Sequence, residues 1–315
     1  MGEVLPDRFA VAGLGWWGVG PVEMAQAMTR NGDTCDSVIL WNIRRRLDRL
    51  LMSSPFSGIE GLRRLNASCL SRHESYRAIF VVSPHRFSLR MLRSLKSRCA
   101  ELVALIGDAP LGARRVETTN WSIFDRVLSA DESWLRLIPD GCSVKGIMPW
   151  GSTLIDPALL SSDTYEPSSV VMVGSPYPER IELAKQLVGR SKLILQGTGW
   201  PNIPGVILRP SASRLATLEQ IRANRELVVN VHHDQFDRGL NPQFYDFAAA
   251  GIPQVVVHAD DIFTYRLGLD SLSQDRSFLD QDLLLDERIQ SVNSELVAKV
   301  RNSYMFHSCI KRGLK

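Results

Sequence analysis

The chain has 315 residues, of which 44% are hydrophobic and 23% charged, and its formal net charge is +3. This composition is typical of a globular protein long enough for two domains of about 150 residues each. The sequence has no run near the roughly 18 apolar residues of a membrane-spanning helix, so we expect no transmembrane helix.

The first residues and the cysteines give an expectation for location. Residues 1–12 lack the charged-then-apolar order of a signal peptide. The five cysteines are scattered along the chain and none forms a Cys-x-x-Cys pair. We therefore expect a cytoplasmic protein without a structural zinc site.

The N-terminal stretch predicts a strand over residues 9–14, a glycine-rich turn and a helix over 21–30. The turn contains the pattern Gly-x-Gly-x-x-Gly, and Arg44–Arg46 follow the next predicted strand, where an NADP-dependent oxidoreductase could hold a 2′-phosphate. Two features count against that alternative. Trp16 and Trp17 stand where a pyrophosphate would lie, and no acidic residue ends the second strand.

The segment from Trp41 to Ala100 carries thirteen basic and three acidic residues, a net charge of +10. A positive face of this kind favours an anionic partner such as nucleic acid, a phosphorylated acceptor or a lipid surface. The alternative is that these arginines only solvate the outer faces of helices.

The rest of the first half alternates strands and helices. Residues 77–82 and 101–107 predict strands, with a helix over 87–98 between them. Such repetition indicates a parallel, doubly wound sheet with functional groups at the carboxyl ends of its strands. His85 and Asp108 follow two of those ends, so each is either a catalytic group or a residue that packs or caps locally.

Residues 149–167 are rich in Pro, Ser and Asp and predict an interdomain linker. Strand and helix patterns resume beyond it, with strands at 168–174, 192–197 and 205–210 and helices at 179–188 and 213–223. Gly174 would let a ligand approach the backbone, and Arg180 in the first helical turn could reach a phosphate.

The stretch from Glu226 to Val257 predicts a buried strand, a polar loop, a short helix and a second buried strand. Asn241 is a suitable N-cap, Pro242 a suitable first helical residue and Gly251 a suitable terminator. The free N–H groups at the start of this helix would form an anion site above the strand ends.

His232 and His233, followed by Asp234, suggest a metal site. Adjacent residues of a strand point to opposite faces, so the two imidazoles would not share one ion. We therefore predict no metal site. The alternatives are that His232 or Asn230 lines the ligand site, or that the histidine is packed or faces solvent.

Several of these motifs, in this order, resemble the CgeB-like (spore-maturation-protein type) glycosyltransferases. In the first half they are an acid and proline after a strand at Asp108–Pro110, then FDRVLSADESW and VKGIMPWG. In the second half they are the strand leading to GSxxxxR at Gly174–Arg180, the strand ending GTGW, and the stretch NPQFYDFAAAGIP, which is similar to N-x-R-x-F-E-x-x-A-x-G-x-P.

The resemblance implies an α/β protein of the GT-B architecture, in which two Rossmann-like doubly wound domains face a cleft. We expect an acceptor domain over residues 1–152, a nucleotide-sugar domain over 153–300 and a C-terminal helix over 301–315 that crosses back to the first domain.

The resemblance also implies the site residues. His85 or Asp108 would be the catalytic base, and Gly15, Trp16 and Trp17 would form a loop on the acceptor side. The implied donor-binding residues are Gly174, Ser175, Arg180, Gly197, His232, Asn241, Gln243, Phe244 and Asp246.

Within that set, Gly174, Arg180 and the helix start at Asn241 would contact the diphosphate, and Gly197 would lie in the nucleoside pocket. Asp246, in place of the family's Glu, would hold the ribose hydroxyls. The sequence departs from the family at Gln243, which replaces an Arg, and at Arg238, which stands where many retaining enzymes have an acid. A non-catalytic nucleotide-sugar-binding protein is therefore a further alternative.

The implied reaction is hexosyl or pentosyl transfer from a UDP- or GDP-sugar cosubstrate, without a metal or other cofactor. The acceptor is a glycan, a natural product or DNA, and the basic segment favours an anionic one. Neither the stereochemistry nor the oligomeric state follows from the sequence.

Overall fold

A computed structural model describes residues 8–15, 20–42, 46–52, 57–68, 70, 75–106, 119–140, 144–231, 240–257 and 287–315. The described chain divides into two compact units, the first formed by residues 1–149 and 306–315 and the second by residues 150–305.

The first unit alternates strands and helices, as the patterns predict. Its strands are β1 (Arg8–Gly15), β2 (Thr34–Asn42), β3 (Tyr76–Val82), β4 (Cys99–Ile106), β5 (Arg126–Ser129) and β6 (Val144–Ile147). Its helices are α1 (Pro21–Arg30), α2 (Arg46–Met52), α3 (Ser57–Asn66), α4 (Leu89–Lys96), α5 (Glu132–Arg136) and, from the C-terminus, α11 (Phe306–Gly313).

The six strands form one parallel sheet in the order β2-β1-β3-β4-β5-β6. The central strands are buried on both faces, so β3 is apolar along nearly its whole length rather than alternating. Helix α4 shows how the faces are covered: Ser88 caps its first turn, and Met91, Leu92 and Leu95 point into the core. The sheet reverses its strand order between β1 and β3.

The second unit is built in the same way. Its strands are β7 (Ser169–Val173), β8 (Leu193–Gln196), β9 (Ile207–Arg209), β10 (Glu226–Val231) and β11 (Gln254–Val257). Its helices are α6 (Pro157–Leu160), α7 (Pro178–Leu187), α8 (Arg214–Ala223), α9 (Pro242–Ala249) and α10 (Glu287–Ser303). The parallel sheet has the order β11-β10-β7-β8-β9, which is the strand order of the Rossmann fold.

The segment that begins the second unit is not an exposed linker. Gly151, Ser152, Thr153 and Leu154 are buried, and the Ser152 N–H donates to the Tyr304 carbonyl at 2.9 Å. The Pro-, Ser- and Asp-rich composition predicts an interdomain linker, whereas these four residues are packed within the second unit.

The last helix, α11, packs in the first unit. Phe306, Cys309 and Ile310 are buried, Lys311 Nζ lies 3.1 Å from Asp33 Oδ2, and Arg126 donates to the Gly313 carbonyl at 2.8 Å. None of the helices in the described ranges is long and apolar enough to span a membrane.

Candidate functional site

The strand order of the second sheet reverses between β7 and β10. From β7 the chain moves outward through β8 and β9, and it then returns to β10 and β11 on the other side. Ligands of open parallel sheets bind outside the carboxyl ends of the strands at such a reversal, because the two exit loops leave in opposite directions. The end of β7 at Gly174 and the end of β10 at Val231 therefore mark the candidate site.

The loops that follow β7 and β8 contact each other at two glycine residues, Gly174 and Gly197. Gly174 has φ +116°, and its carbonyl accepts a hydrogen bond from Trp200 Nε1 at 2.9 Å. Gly197 has φ +155°, and a Cβ there would collide with the Gly174 carbonyl oxygen. The contact between the loops thus requires a glycine at position 197, and Trp200 already donates to the Gly174 carbonyl.

Arg180 ties the exit of β7 to the end of β10. Its Nε and Nη2 donate to the Val231 carbonyl at 3.3 and 2.9 Å, and its Nη1 donates to the Ser175 carbonyl at 3.1 Å. An added Cβ on Gly174 would lie 2.6 Å from Nη1, so the glycine makes room for the guanidinium.

The environment of Arg180 is nearly closed to water. The residue is 8% exposed, and burial lowers the pKa of its guanidinium. One N–H of Nη1 and one of Nη2 have no hydrogen-bond partner among the described residues. The buried cation therefore keeps donors for an anion, although three of its bonds hold backbone carbonyls.

Asn241 begins α9 as predicted and is fixed by buried amides. Its Oδ1 accepts the Phe244 N–H at 2.9 Å, and its Nδ2 donates to Asn230 Oδ1 at 3.0 Å. Asn230 in turn donates to Gln254 at 3.3 Å, and Gln254 donates to the Phe244 carbonyl at 2.9 Å. This chain of amides connects the start of α9 to β10 and β11.

Two consecutive residues at the end of β10 thus hold both anion-binding elements. Asn230 fixes the helix start through its side chain, and Val231 holds Arg180 through its carbonyl. A helix N-terminus and a buried guanidinium therefore converge on the reversal of the sheet. This arrangement is suited to a phosphate or diphosphate group.

Gln243 and Phe244 occupy the first turn of α9. Pro242 has no N–H, and the Phe244 N–H is bonded to the Asn241 side chain. The backbone N–H of Gln243 is therefore the one in this turn that has no partner among the described residues. The side chain of Gln243 is half-buried, whereas that of Phe244 is fully buried against Tyr245. Both backbone polar groups of Phe244 are also hydrogen-bonded, its N–H to Asn241 and its carbonyl to Gln254.

Asp246 lies two residues further along α9 and is 3% exposed. Arg214, the first residue of α8, donates to it from Nε at 2.6 Å and from Nη2 at 2.5 Å, and Ser152 Oγ donates at 2.7 Å. A carboxylate accepts about four hydrogen bonds, so about one position remains, on Oδ2. The predicted contact with two vicinal hydroxyls would require one of these bonds to open.

The first sheet reverses between β1 and β3, where two of the predicted residues lie. Gly15 ends β1, and His85 is half-buried in a turn of 3-10 helix, Pro84–Arg86, that follows β3. The turn begins at Ser83, a non-glycine residue with φ +59°, which is an uncommon backbone conformation. His85 is therefore at the position where the first sheet would bind a ligand.

The remaining predicted residues, Trp16, Trp17, Asp108 and His232, lie outside the described residues, as does Arg238. Among the residues that are described, no group of three or more His, Cys, Asp or Glu side chains could hold a metal ion.

The sequence indicated no contact for Arg214, Ser152 or Trp200, whereas Asn230 was a candidate for lining the ligand site. The signal was the strand position of Asn230, one residue before the end of β10 and directly after the apolar residues 227–229. Arg214 and Ser152 carry no such signal, because their contact with Asp246 joins residues that are far apart in the sequence.

Comparison with solved structures identifies the fold of the whole chain. The T4 phage BGT structure in complex with UDP-glucose matches with a TM-score of 0.57 and 10% identity, covering 98% of this chain and 99% of that one. OtsA in its apo form matches with a TM-score of 0.60 and 12% identity, covering 98% of each chain. AviGT4, a glycosyltransferase of avilamycin A biosynthesis, matches with a TM-score of 0.54 and 10% identity, covering 98% and 96%.

These similarities show that the chain has the GT-B fold with two Rossmann-like domains, which confirms the predicted fold class. Neither a protein-family model nor a curated protein matches the sequence.

Proposed function

We propose that the protein is a glycosyltransferase that binds a nucleotide sugar mainly through its second unit and transfers the sugar to an acceptor bound by the first. The observation that carries this proposal is the convergence of Arg180 and the start of α9 on the last two residues of β10. In a GT-B fold, a cation and a helix N-terminus at the reversal of the sheet support the departure of a nucleoside diphosphate.

The chemistry of the second unit fits a diphosphate leaving group. Negative charge grows on the diphosphate as the glycosidic bond breaks, and the Arg180 guanidinium and the α9 N-terminus would stabilise it. Because Asn230, Val231 and Ser175 already fix these groups, little rearrangement is needed during the reaction. Asp246 would accept a hydrogen bond from the ribose.

The first unit would bind the acceptor. For an inverting reaction it would also provide the catalytic base. His85 or Asp108 would deprotonate the attacking hydroxyl, and the loop of Gly15, Trp16 and Trp17 would border the acceptor. A retaining reaction would need no such base. The resemblance to CgeB-like glycosyltransferases supports a donor in the second unit and an acceptor in the first.

UDP-glucose is the first donor to test. T4 phage BGT is described in complex with UDP-glucose, and another match is described as the DNA-modifying enzyme β-glucosyltransferase. A further match, from E. coli, is bound with UDP-2-fluoro-glucose. A complex of the T4 enzyme also contains Mn2+, so donor binding is best assayed with and without that ion. DNA and phosphorylated glycans are the anionic acceptors to test.

The experiment is a thermal-shift titration with UDP, GDP, UDP-glucose and NADPH on the wild type and two variants. Arg180→Ala removes the buried cation, and Lys185→Ala removes an exposed cation on the same helix. A ligand that binds the folded state raises the melting temperature. We expect UDP and UDP-glucose to stabilise the wild type and Lys185→Ala equally, and Arg180→Ala to bind at least about tenfold more weakly.

Release of UDP from UDP-glucose would then establish turnover. Stabilisation by NADPH, and by none of the other ligands, would favour the oxidoreductase alternative. Binding of UDP-glucose without release of UDP in the presence of any acceptor tested would favour a non-catalytic binding protein. If UDP raised the melting temperature of Arg180→Ala as much as that of the wild type, the assignment of the site would be wrong.

A further inference from the structure

Helices α2 and α3 of the first unit carry the most exposed large hydrophobic side chains of the described residues. Leu47 and Leu50 on α2 are 64% and 63% exposed, and Ile59 on α3 is 70% exposed. The next in order, Leu137, is 55% exposed. The three most solvent-exposed large aliphatic side chains among the described residues thus lie on two helices that contact each other.

The exposure of Leu47 and Leu50 follows from how α2 packs. Asp48, which lies between them in sequence, is buried and accepts a hydrogen bond from Arg64 of α3 at 3.0 Å. Residues three apart share one side of a helix, so Leu47 and Leu50 stand together, away from Asp48. Arg46 is also exposed.

The packing of α3 exposes Ile59 for the same reason. Leu65 is buried and Gly61 fits tightly against Met91 of α4, so these residues define the inner side. Ile59 and Arg63, four residues apart, share the outer side. We name Leu47, Leu50, Ile59, Arg46 and Arg63 the α2–α3 surface.

The segment that contains these helices is positively charged. Its described residues between 46 and 98 include ten basic residues and two acidic ones, Asp48 and Glu60. Both acids are bonded to arginines of α3: Arg64 binds both, and Arg63 binds Glu60. Helix α4, which packs on α3, adds the exposed Arg90 and Arg93.

We propose that the α2–α3 surface docks on an anionic lipid bilayer, with Leu47, Leu50 and Ile59 entering the interface and the arginines lying among the headgroups. Exposed aliphatic side chains beside basic ones are the composition of interfacial membrane-binding helices. A lipid surface uses both features, since the bilayer removes the aliphatic groups from water while its phosphates attract the arginines. Nucleic acid would use the arginines alone.

Vesicle cosedimentation of the full chain tests the proposal. The vesicles contain either phosphatidylcholine alone or phosphatidylcholine with phosphatidylglycerol. The variants are Leu47→Ser/Leu50→Ser and Ile59→Ser, with Ile207→Ser/Leu208→Ser as the matched control, because those two residues are 47% exposed on β9 of the second unit. Melting temperatures of all variants establish that they fold.

We expect the wild type and the control to bind the anionic vesicles, and Leu47→Ser/Leu50→Ser to bind at least about tenfold more weakly. Ile59→Ser should bind more weakly than the wild type. Arg90→Glu/Arg93→Glu should reduce the preference for phosphatidylglycerol, and added salt should weaken binding by the wild type.

Binding by both serine variants that equals the wild type would overturn the proposal, as would absence of binding to anionic vesicles. Salt-dependent binding of the wild type to duplex DNA, unaffected by the serine substitutions and without vesicle binding, would instead assign the surface to nucleic acid. None of these outcomes depends on nucleotide binding, so they are independent of the proposed transferase activity.

Discussion

Arg214 and Asp246 form a two-point salt bridge inside the second unit, with Nε 2.6 Å from Oδ2 and Nη2 2.5 Å from Oδ1. Arg214→Ala would leave the carboxylate of Asp246 buried, with Ser152 as its remaining hydrogen-bond donor among the described residues. We expect a loss of about 3 kcal/mol in the free energy of unfolding, measured by urea denaturation.

Arg136→Ala is the matched control for this prediction. Arg136 pairs with Glu132 one turn away on α5, and its side chain is 63% exposed. Its removal should cost less than about 0.5 kcal/mol. Equal effects of the two substitutions would show that the Arg214 salt bridge contributes no more than a surface pair.

The number of hydrogen bonds that Asp246 can still accept gives a test of its proposed contact with the ribose. With about one position left on the carboxylate, only one ribose hydroxyl can bond to it directly. We therefore expect 2′-deoxy-UDP and 3′-deoxy-UDP to differ in affinity by at least about tenfold, and Asp246→Asn to reduce that difference. Isothermal titration measures the affinities. Equal affinities of the two deoxynucleotides for the wild type would contradict the prediction.

Gly197 should tolerate no side chain. In Gly197→Ala the new Cβ would collide with the Gly174 carbonyl oxygen at a backbone φ of +155°, so we expect a loss of more than about 3 kcal/mol in stability. Gly189→Ala is the control, since its φ is +81° but nothing lies within 4 Å of the added Cβ. That variant should lose only about 1 to 2 kcal/mol.

His307 on α11 predicts a pH dependence of stability. Burial, together with the charge of Lys311 and against that of Asp33, lowers the pKa of His307 in the folded chain. Between the ordinary pKa of about 6.5 and the lower folded value, the unfolded chain binds more protons than the folded chain, so stability falls as the pH falls. Melting temperatures measured from about pH 7 to pH 5 should decline less in His307→Gln than in the wild type. Parallel curves would contradict this.

The fold was predictable because parallel strands covered on both faces leave a strong sequence pattern. The β-branched run from Glu226, the Asn-Pro helix start and the closing Gly251 predict β10 and α9 within a few residues, and α1 is confirmed at Pro21–Arg30. The predicted helix over 87–98 is shorter in the structure, Leu89–Lys96, because Ser88 caps it. These elements follow from local rules.

The site was only partly predictable, because its key contacts are not local. The sequence placed Arg180 and Asn241 near strand ends, where the structure has them, but could not show that Val231 and Asn230 hold them together. Ser152 lies in a stretch whose composition predicts a linker, yet it is buried against Asp246, 94 residues away. Composition records the absence of regular elements and carries no information about such a tertiary contact.

The backbone hydrogen bond between Ser152 and Tyr304 means that the second unit is an insertion within the first, since its two ends are neighbours and α11 returns to the first unit. Truncation of the chain after Met305 would therefore remove part of the first unit and none of the second. Residues 150–305 form a cassette suited to separate expression or to head-to-tail cyclisation.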